Sequence, residues 1–136
     1  MPHNVKSERT KEWLLLAKND LASGQYQLQS AEQFTRQVSF QAQQCAEKAI
    51  KAMLVWHQVR FAKQHDLRYL GDLLLDKEPT LQLVIDQATN LNPYAVMIRY
   101  PGFAEVPTLN EAVEALKVAE KLYNEILGKL PKETHP

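Results

Sequence analysis

One stretch limits what this chain can fold into more than any other: Val38 to His57, VSFQAQQCAEKAIKAMLVWH. Val38, Ala42, Cys45, Ala49, Ala52 and Trp56 step by fours and threes, so they share one stripe of a helix. Ala46, Ile50 and Met53 widen that stripe to a broad apolar face. Most of these residues are small, which lets a second helix approach closely. Gln41, Gln44, Glu47, Lys48 and Lys51 fall together on the opposite face. Glu47 and Lys51 are also an i,i+4 pair in the favourable order. A helix of this kind draws its stability from packing rather than from propensity. The rest of the chain must therefore supply helices to cover it.

Ser7 and Glu8 have the chemistry of an N-cap and a first turn. Trp13, Leu14, Ala17, Leu21 and Leu28 then fall on one face of a first helix, roughly 8–30, which Ser23-Gly24 could break. The short connection at 31–34 makes this helix an antiparallel neighbour of the central one, roughly 35–58. His65-Asp66-Leu67 opens a third helix with Leu70, Leu73 and Leu74, and Pro79 ends it. Thr80 is placed to cap a fourth, carrying Leu81, Val84, Ile85, Ala88 and Leu91. Asn92-Pro93 marks a turn or a fresh first turn. Pro101-Gly102 is a strong turn signal and leaves Arg99 and Tyr100 at an element's end. Thr108 or Asn110 caps a last helix containing Ala112, Leu116, Ala119, Leu122, Tyr123 and Ile126, stopped by Gly128 and Pro131. Residues 1–6 and the tail KETHP read as loose ends. No stretch alternates as a strand does, and nothing repeats at a fixed period. The prediction is a single all-α domain over 1–136, core about 8–127: an up-and-down bundle of four to five helices, the first, second and last being long.

A chain of 136 residues buries roughly 68% of its unfolded surface, so it needs no staple. The single Cys45 has no internal disulfide partner and reads as a small hydrophobe in a reducing compartment. No apolar run approaches the roughly 18 residues of a membrane span, and the start MPHNVKSERTKEW is too polar for a secretory signal. A soluble cytoplasmic protein is expected. Sixteen basic and sixteen acidic residues cancel, which argues against broad electrostatic attraction to nucleic acid but leaves room for a local site. The four glycines form no phosphate loop, and the four histidines are scattered, without metal-ligand spacing. No metal or cofactor is expected.

Three groups can carry chemistry. Gln44, Glu47, Lys48 and Lys51 form either a solvated face with one ion pair or, through Lys48 and Lys51, a phosphate groove. In His65-Asp66 the simpler reading is Asp66 as a helix N-cap. The functional one is His65 as a general base held by a carboxylate, although adjacent helix positions point apart. Arg99-Tyr100-Pro101-Gly102 is either a surface turn or a guanidinium on a rigid corner that grips phosphate.

The run Phe40–Ala52, FQAQQCAEKAIKA, resembles the signature helix of HEPN domains (higher eukaryotes and prokaryotes nucleotide-binding). WLLLAKNDL at Trp13–Leu21, His65-Asp66-Leu67 with Leu70, and Arg99-Tyr100-Pro101 resemble other elements of that family in the same order, over roughly 8–127. The resemblance implies a small helical bundle that usually dimerises. Prokaryotic members are often encoded beside a minimal nucleotidyltransferase in toxin–antitoxin-like pairs. Many are metal-independent RNases that depend on an Arg, four to six intervening residues and a His. Here Arg99 is followed at those distances by Ala104, Glu105 and Val106. A formal match at Arg60 and His65 lies between the second and third helices, not late in the chain, and is read as coincidental. The expected function is a HEPN-type nucleotide- or RNA-binding protein, or a nucleotidyltransferase partner, without the usual nuclease motif. Its phosphate-binding residues would be Arg99, Tyr100, Lys48 and Lys51. One alternative is an active metal-independent RNase toxin using Arg99 with a non-standard base such as His65. The other is a purely structural interaction module.

Overall fold

The computed structural model describes residues 1–30, 34–102 and 105–136. Residues 31–33, within the expected first connection, and Ala104 lie outside the described residues. Three long helices dominate: α1 (His3–Leu28), α2 (Thr35–Trp56) and α6 (Leu109–Lys129). Between α2 and α6 run the shorter α3 (Leu67–Leu75), α4 (Gln82–Ala88) and α5 (Pro93–Met97). Single 3₁₀ turns at Pro79–Leu81 and Thr89–Leu91 flank α4. Among the described residues there is no strand. The all-α bundle is as expected, with the long helices where periodicity put them.

Helix α2 is the central element. Its small-residue stripe, with Val38, Ala42, Cys45, Ala49 and Ala52 fully buried, packs against α1 and α6. Gly24 permits the close approach. A Cβ there would lie 2.8 Å from Leu116 Cδ2 of α6 and 3.2 Å from Gln41 Cβ of α2. The expected break at Ser23-Gly24 is therefore absent, and α1 runs through it because the glycine serves three-helix packing rather than a turn.

Several ends differ from expectation. Helix α1 starts at His3, and Ser7 is buried inside it rather than capping it. The extra turn is held by tertiary contacts: Lys6 Nζ sits 3.8 Å above the Trp56 ring, and the His3 ring meets Trp56 edge-on. Thr80 lies in a 3₁₀ turn opened by Pro79 and caps nothing. Pro93 takes the first position of α5. Thr108, not Asn110, caps α6, through a full capping box with Glu111. The tail is not frayed. Lys132–Thr134 form a 3₁₀ turn, Thr134 is fully buried, and Glu133 Oε1 meets His3 Nε2 at 2.7 Å.

Candidate phosphate-binding face

The polar side of α2 is where sequence and structure part most. Arg36, Phe40, Gln43, Glu47 and Lys51 step by four, three, four and four, so they line one stripe opposite the small residues. Periodicity alone assigns such a stripe to solvent. Instead Gln43, Glu47 and Lys51 are 0%, 3% and 7% exposed. The solvated-face reading is therefore incorrect for Glu47 and Lys51, while Gln44 and Lys48 are half-buried. The loop after α2 and the α5 segment close over the stripe.

Burying charge is tolerated only when it is paired and hydrogen-bonded, and each group here is. Lys51 Nζ donates to Glu47 Oε2 at 3.0 Å, the expected i,i+4 pair. Gln43 Nε2 donates to Glu47 Oε1 at 3.2 Å and to the His65 carbonyl at 3.1 Å. His65 Nδ1 lies 2.9 Å from Glu47 Oε1. A carboxylate only accepts, so Nδ1 carries the proton, and in the neutral ring Nε2 is left as an acceptor. The His65 side chain is 54% exposed, whereas that of Glu47 is 4% exposed. A buried carboxylate thus orients a half-exposed imidazole. The simpler reading of His65-Asp66 holds, and the carboxylate beside His65 is not its neighbour in sequence. Asp66 is the N-cap of α3, accepting from the Arg68 amide at 2.9 Å, and the partner comes from Glu47, eighteen positions earlier. Lys51 Nζ also lies 5.5 Å from the Trp13 ring centroid and 5.8 Å from that of Phe61.

At the other end of the stripe two arginines each bond to a carbonyl of α5. Arg99 Nη1 donates to the Ala95 carbonyl at 3.1 Å, and its Cζ stands 6.0 Å from the Phe40 ring centroid. Arg36, which sequence reasoning missed, donates Nη2 to the Met97 carbonyl. Its place one helical turn before Phe40 was the available signal. Neither guanidinium has a carboxylate partner among the described residues. Tyr100 beside them is 58% exposed, on a corner where Gly102 takes a φ of +74°. Phe40 and Glu47 are seven residues apart, so the two ends of the stripe are about 10 Å apart along the axis.

The four expected phosphate-binding residues do not gather at one point. Arg99 and Tyr100 sit at the α5 corner. Lys48 is turned toward α1, where it pairs with Asp20. Lys51 is enclosed with Glu47. Cys45 is buried, and that burial, with Asp20 nearby, pushes its thiol far above its usual range. Among the described residues no three His, Cys, Asp or Glu side chains gather as metal ligands.

An all-α bundle with a buried polar stripe along its central helix and a basic corner at one end defines the structural class. Residues 10–130 match the HEPN domain model, and the chain belongs to the HEPN domain family. Searches of curated proteins and of solved structures found no match. No helix among the described residues is long and apolar enough to cross a membrane.

Proposed function

We infer that this protein binds RNA or nucleotide phosphates at the α5 corner, with Arg99 and Arg36 as the phosphate grips and Phe40 and Tyr100 as the aromatic surface beside them. The observation that carries this reading is the pair of guanidiniums without carboxylate partners among the described residues, each fixed by a backbone carbonyl of α5, with that of Arg99 facing the Phe40 ring. A carbonyl orients a guanidinium without neutralising it, so the remaining donors stay available for the planar, two-point recognition that phosphate accepts. Exposed aromatic faces beside such charges suit bases stacked on a single strand. Lys48 and Lys51, each already paired, are at most distant contributors. Titration of a labelled single-stranded RNA, and of ATP, into wild type and Arg99→Ala tests the assignment. Affinity about tenfold lower in the variant is expected for one lost charged contact; equal affinity removes the site.

One observation supports a second reading, metal-independent RNA cleavage: the imidazole of His65 is held by buried Glu47 with Nε2 unpartnered among the described residues. A neutral, oriented imidazole can take the proton from a 2′-hydroxyl. RNA incubated with metal-free protein would then be cut, with loss of cutting in His65→Ala and a large reduction in Glu47→Gln. RNA that stays intact with concentrated wild type rules this reading out.

The homodimer and the nucleotidyltransferase partner rest on the family. The small-residue stripe lends a dimer no surface, since α1 and α6 already cover it. Sedimentation at micromolar concentration tests the dimer, and the neighbouring reading frame tests the paired system. A partner co-purifying in fixed ratio, unaffected by Arg99→Ala, would favour an interaction module instead.

A further inference from the structure

The outward side of α6 carries its charges in blocks. Glu111 and Glu114 stand three apart near its start, and Lys117 and Lys121 follow, four apart. Like charges at such spacings are neighbours on a helix and weaken it. None of the four has an ion-pair partner among the described residues. Glu111 spends one carboxylate oxygen on the Thr108 amide in the capping box.

A groove runs beside these blocks, between α6 and the α4–α5 segment. Its main hollow, of about 430 Å³, has an apolar lining of Leu91, Ala115 and Val118, with Gln87 and Tyr94 on the α4–α5 side. All four charged residues border it. A second hollow of about 280 Å³ continues it past Tyr94 and Glu111, which belong to both, and reaches Val106. Val106 is 60% exposed. At the opposite end Leu83, one turn before Gln87 on α4, is 66% exposed. Burial, and then Glu111 beside it, raise the Tyr94 hydroxyl above its usual value, so it keeps its proton as a neutral donor. Among the described residues there is no strand edge for an extended chain to join, which leaves a helix laid in the groove as the mode of docking this shape suits.

We propose that this groove docks an amphipathic helix of a partner protein, acidic in its first turn and basic in its last. From Glu111 to Lys121 α6 rises about 15 Å, so an occupant of about three turns spans the charged blocks. Apolar side chains along one stripe of that helix meet Leu91, Tyr94, Ala115 and Val118. Charge sets its direction. The acidic turn lies against Lys117 and Lys121 and the basic turn against Glu111 and Glu114, so the helix runs antiparallel to α6. The same order of charge suits the dipole of the incoming helix, and it relieves both like-charge pairs of α6. A second copy of the chain fits less well. Its α6 has the same charge order, but that face borders a groove of its own, so two copies would meet rim to rim and leave both grooves open. The groove shares no residue with the corner of Arg36, Phe40, Arg99 and Tyr100, and docking there does not depend on RNA binding.

The test is fluorescence anisotropy of two labelled helical peptides, each of about 14 residues, titrated with the whole protein. One has glutamates in the first turn, leucines along one stripe and arginines in the last turn. The other is the same helix with the charged turns exchanged. The first binds about tenfold more tightly, and the difference narrows as salt is raised. Lys117→Glu, Lys121→Glu changes two exposed side chains and keeps the wild-type melting temperature, and it weakens the first peptide about tenfold. Equal affinity of the two peptides for wild type overturns the proposal, as does no binding of either, or a double variant that holds the first peptide as wild type does. Sedimentation that shows a dimer abolished by the double variant also overturns it, since the face would then belong to a second copy. RNA titration of Arg99→Ala is read separately, so the two surfaces are judged independently.

Discussion

Glu47 and Lys51 show how one residue pair can be read correctly in spacing and wrongly in environment. Their i,i+4 order is plain in the sequence. Their burial is not, because what covers them lies ten or more residues away: Trp13 on α1, and Phe61 and His65 in the segment after α2, which has no periodicity of its own. Glu47→Ala leaves Lys51 charged and enclosed without its partner, so unfolding by urea should show a loss of about 3–5 kcal/mol. The double variant Glu47→Met, Lys51→Met should lose far less, since replacing both charges removes the desolvation cost as well. Equal losses in the two variants would mean that the network contributes as ordinary packing. Gly24 is a second residue whose role is set from outside its helix. Gly24→Ala gains helix propensity of up to about 1 kcal/mol, but its Cβ meets Leu116 and Gln41. A net loss of about 1–3 kcal/mol is expected, and a more stable variant would show that α6 can move away freely.

At the scale of elements, the legible features were those whose cause is local. The capping box of Thr108 and Glu111, with hydrogen bonds of 3.1 and 2.9 Å, is written in four consecutive residues, and Asp66 as an N-cap likewise. Thr108→Ala should cost about 1 kcal/mol, read as a lower thermal midpoint. The early start of α1 and the packed tail were not legible, because they hold each other across the whole chain, with the start of α1 also held by Trp56. The C-terminal end of α2 was also hidden, since Gln58, with a φ of +55°, stands where glycine would have announced it. Helices α3 and α4 are tied by Arg68, which contacts Asp72 at 3.0 Å and Asp86 at 2.9 Å. Hydrogen bonds from Gln82, then Arg68, hold the Asp86 carboxyl below its ordinary value. A depressed native value means that the stabilisation is present above the unfolded value and is lost as pH falls through the native one. Asp86→Asn should therefore flatten the acid limb of the stability profile and leave its shape near neutrality unchanged; an unaltered acid limb would show that this exposed bridge contributes nothing.

At the scale of the molecule, zero formal charge conceals local asymmetry. Lys48, Lys51 and Arg68 are spent on carboxylates within the fold, whereas Arg36 and Arg99 are held by carbonyls and Arg9 and Arg60 have no partner among the described residues. The expectation that Lys48 and Lys51 join Arg99 follows from shared residue type, and burial rather than type decides which cations can meet a ligand. Arg99 was legible because Pro101-Gly102 marks a corner; Arg36 was not, because only the fold brings the start of α2 beside the end of α5. The most direct measurement of the phosphate-grip account is the salt dependence of single-stranded RNA affinity for wild type and for the Arg36→Ala, Arg99→Ala double variant. Each phosphate contact contributes about 0.7 to the slope of log affinity against log salt concentration. The account predicts a slope shallower by about 1.4 in the double variant. A slope equal to that of wild type would contradict it.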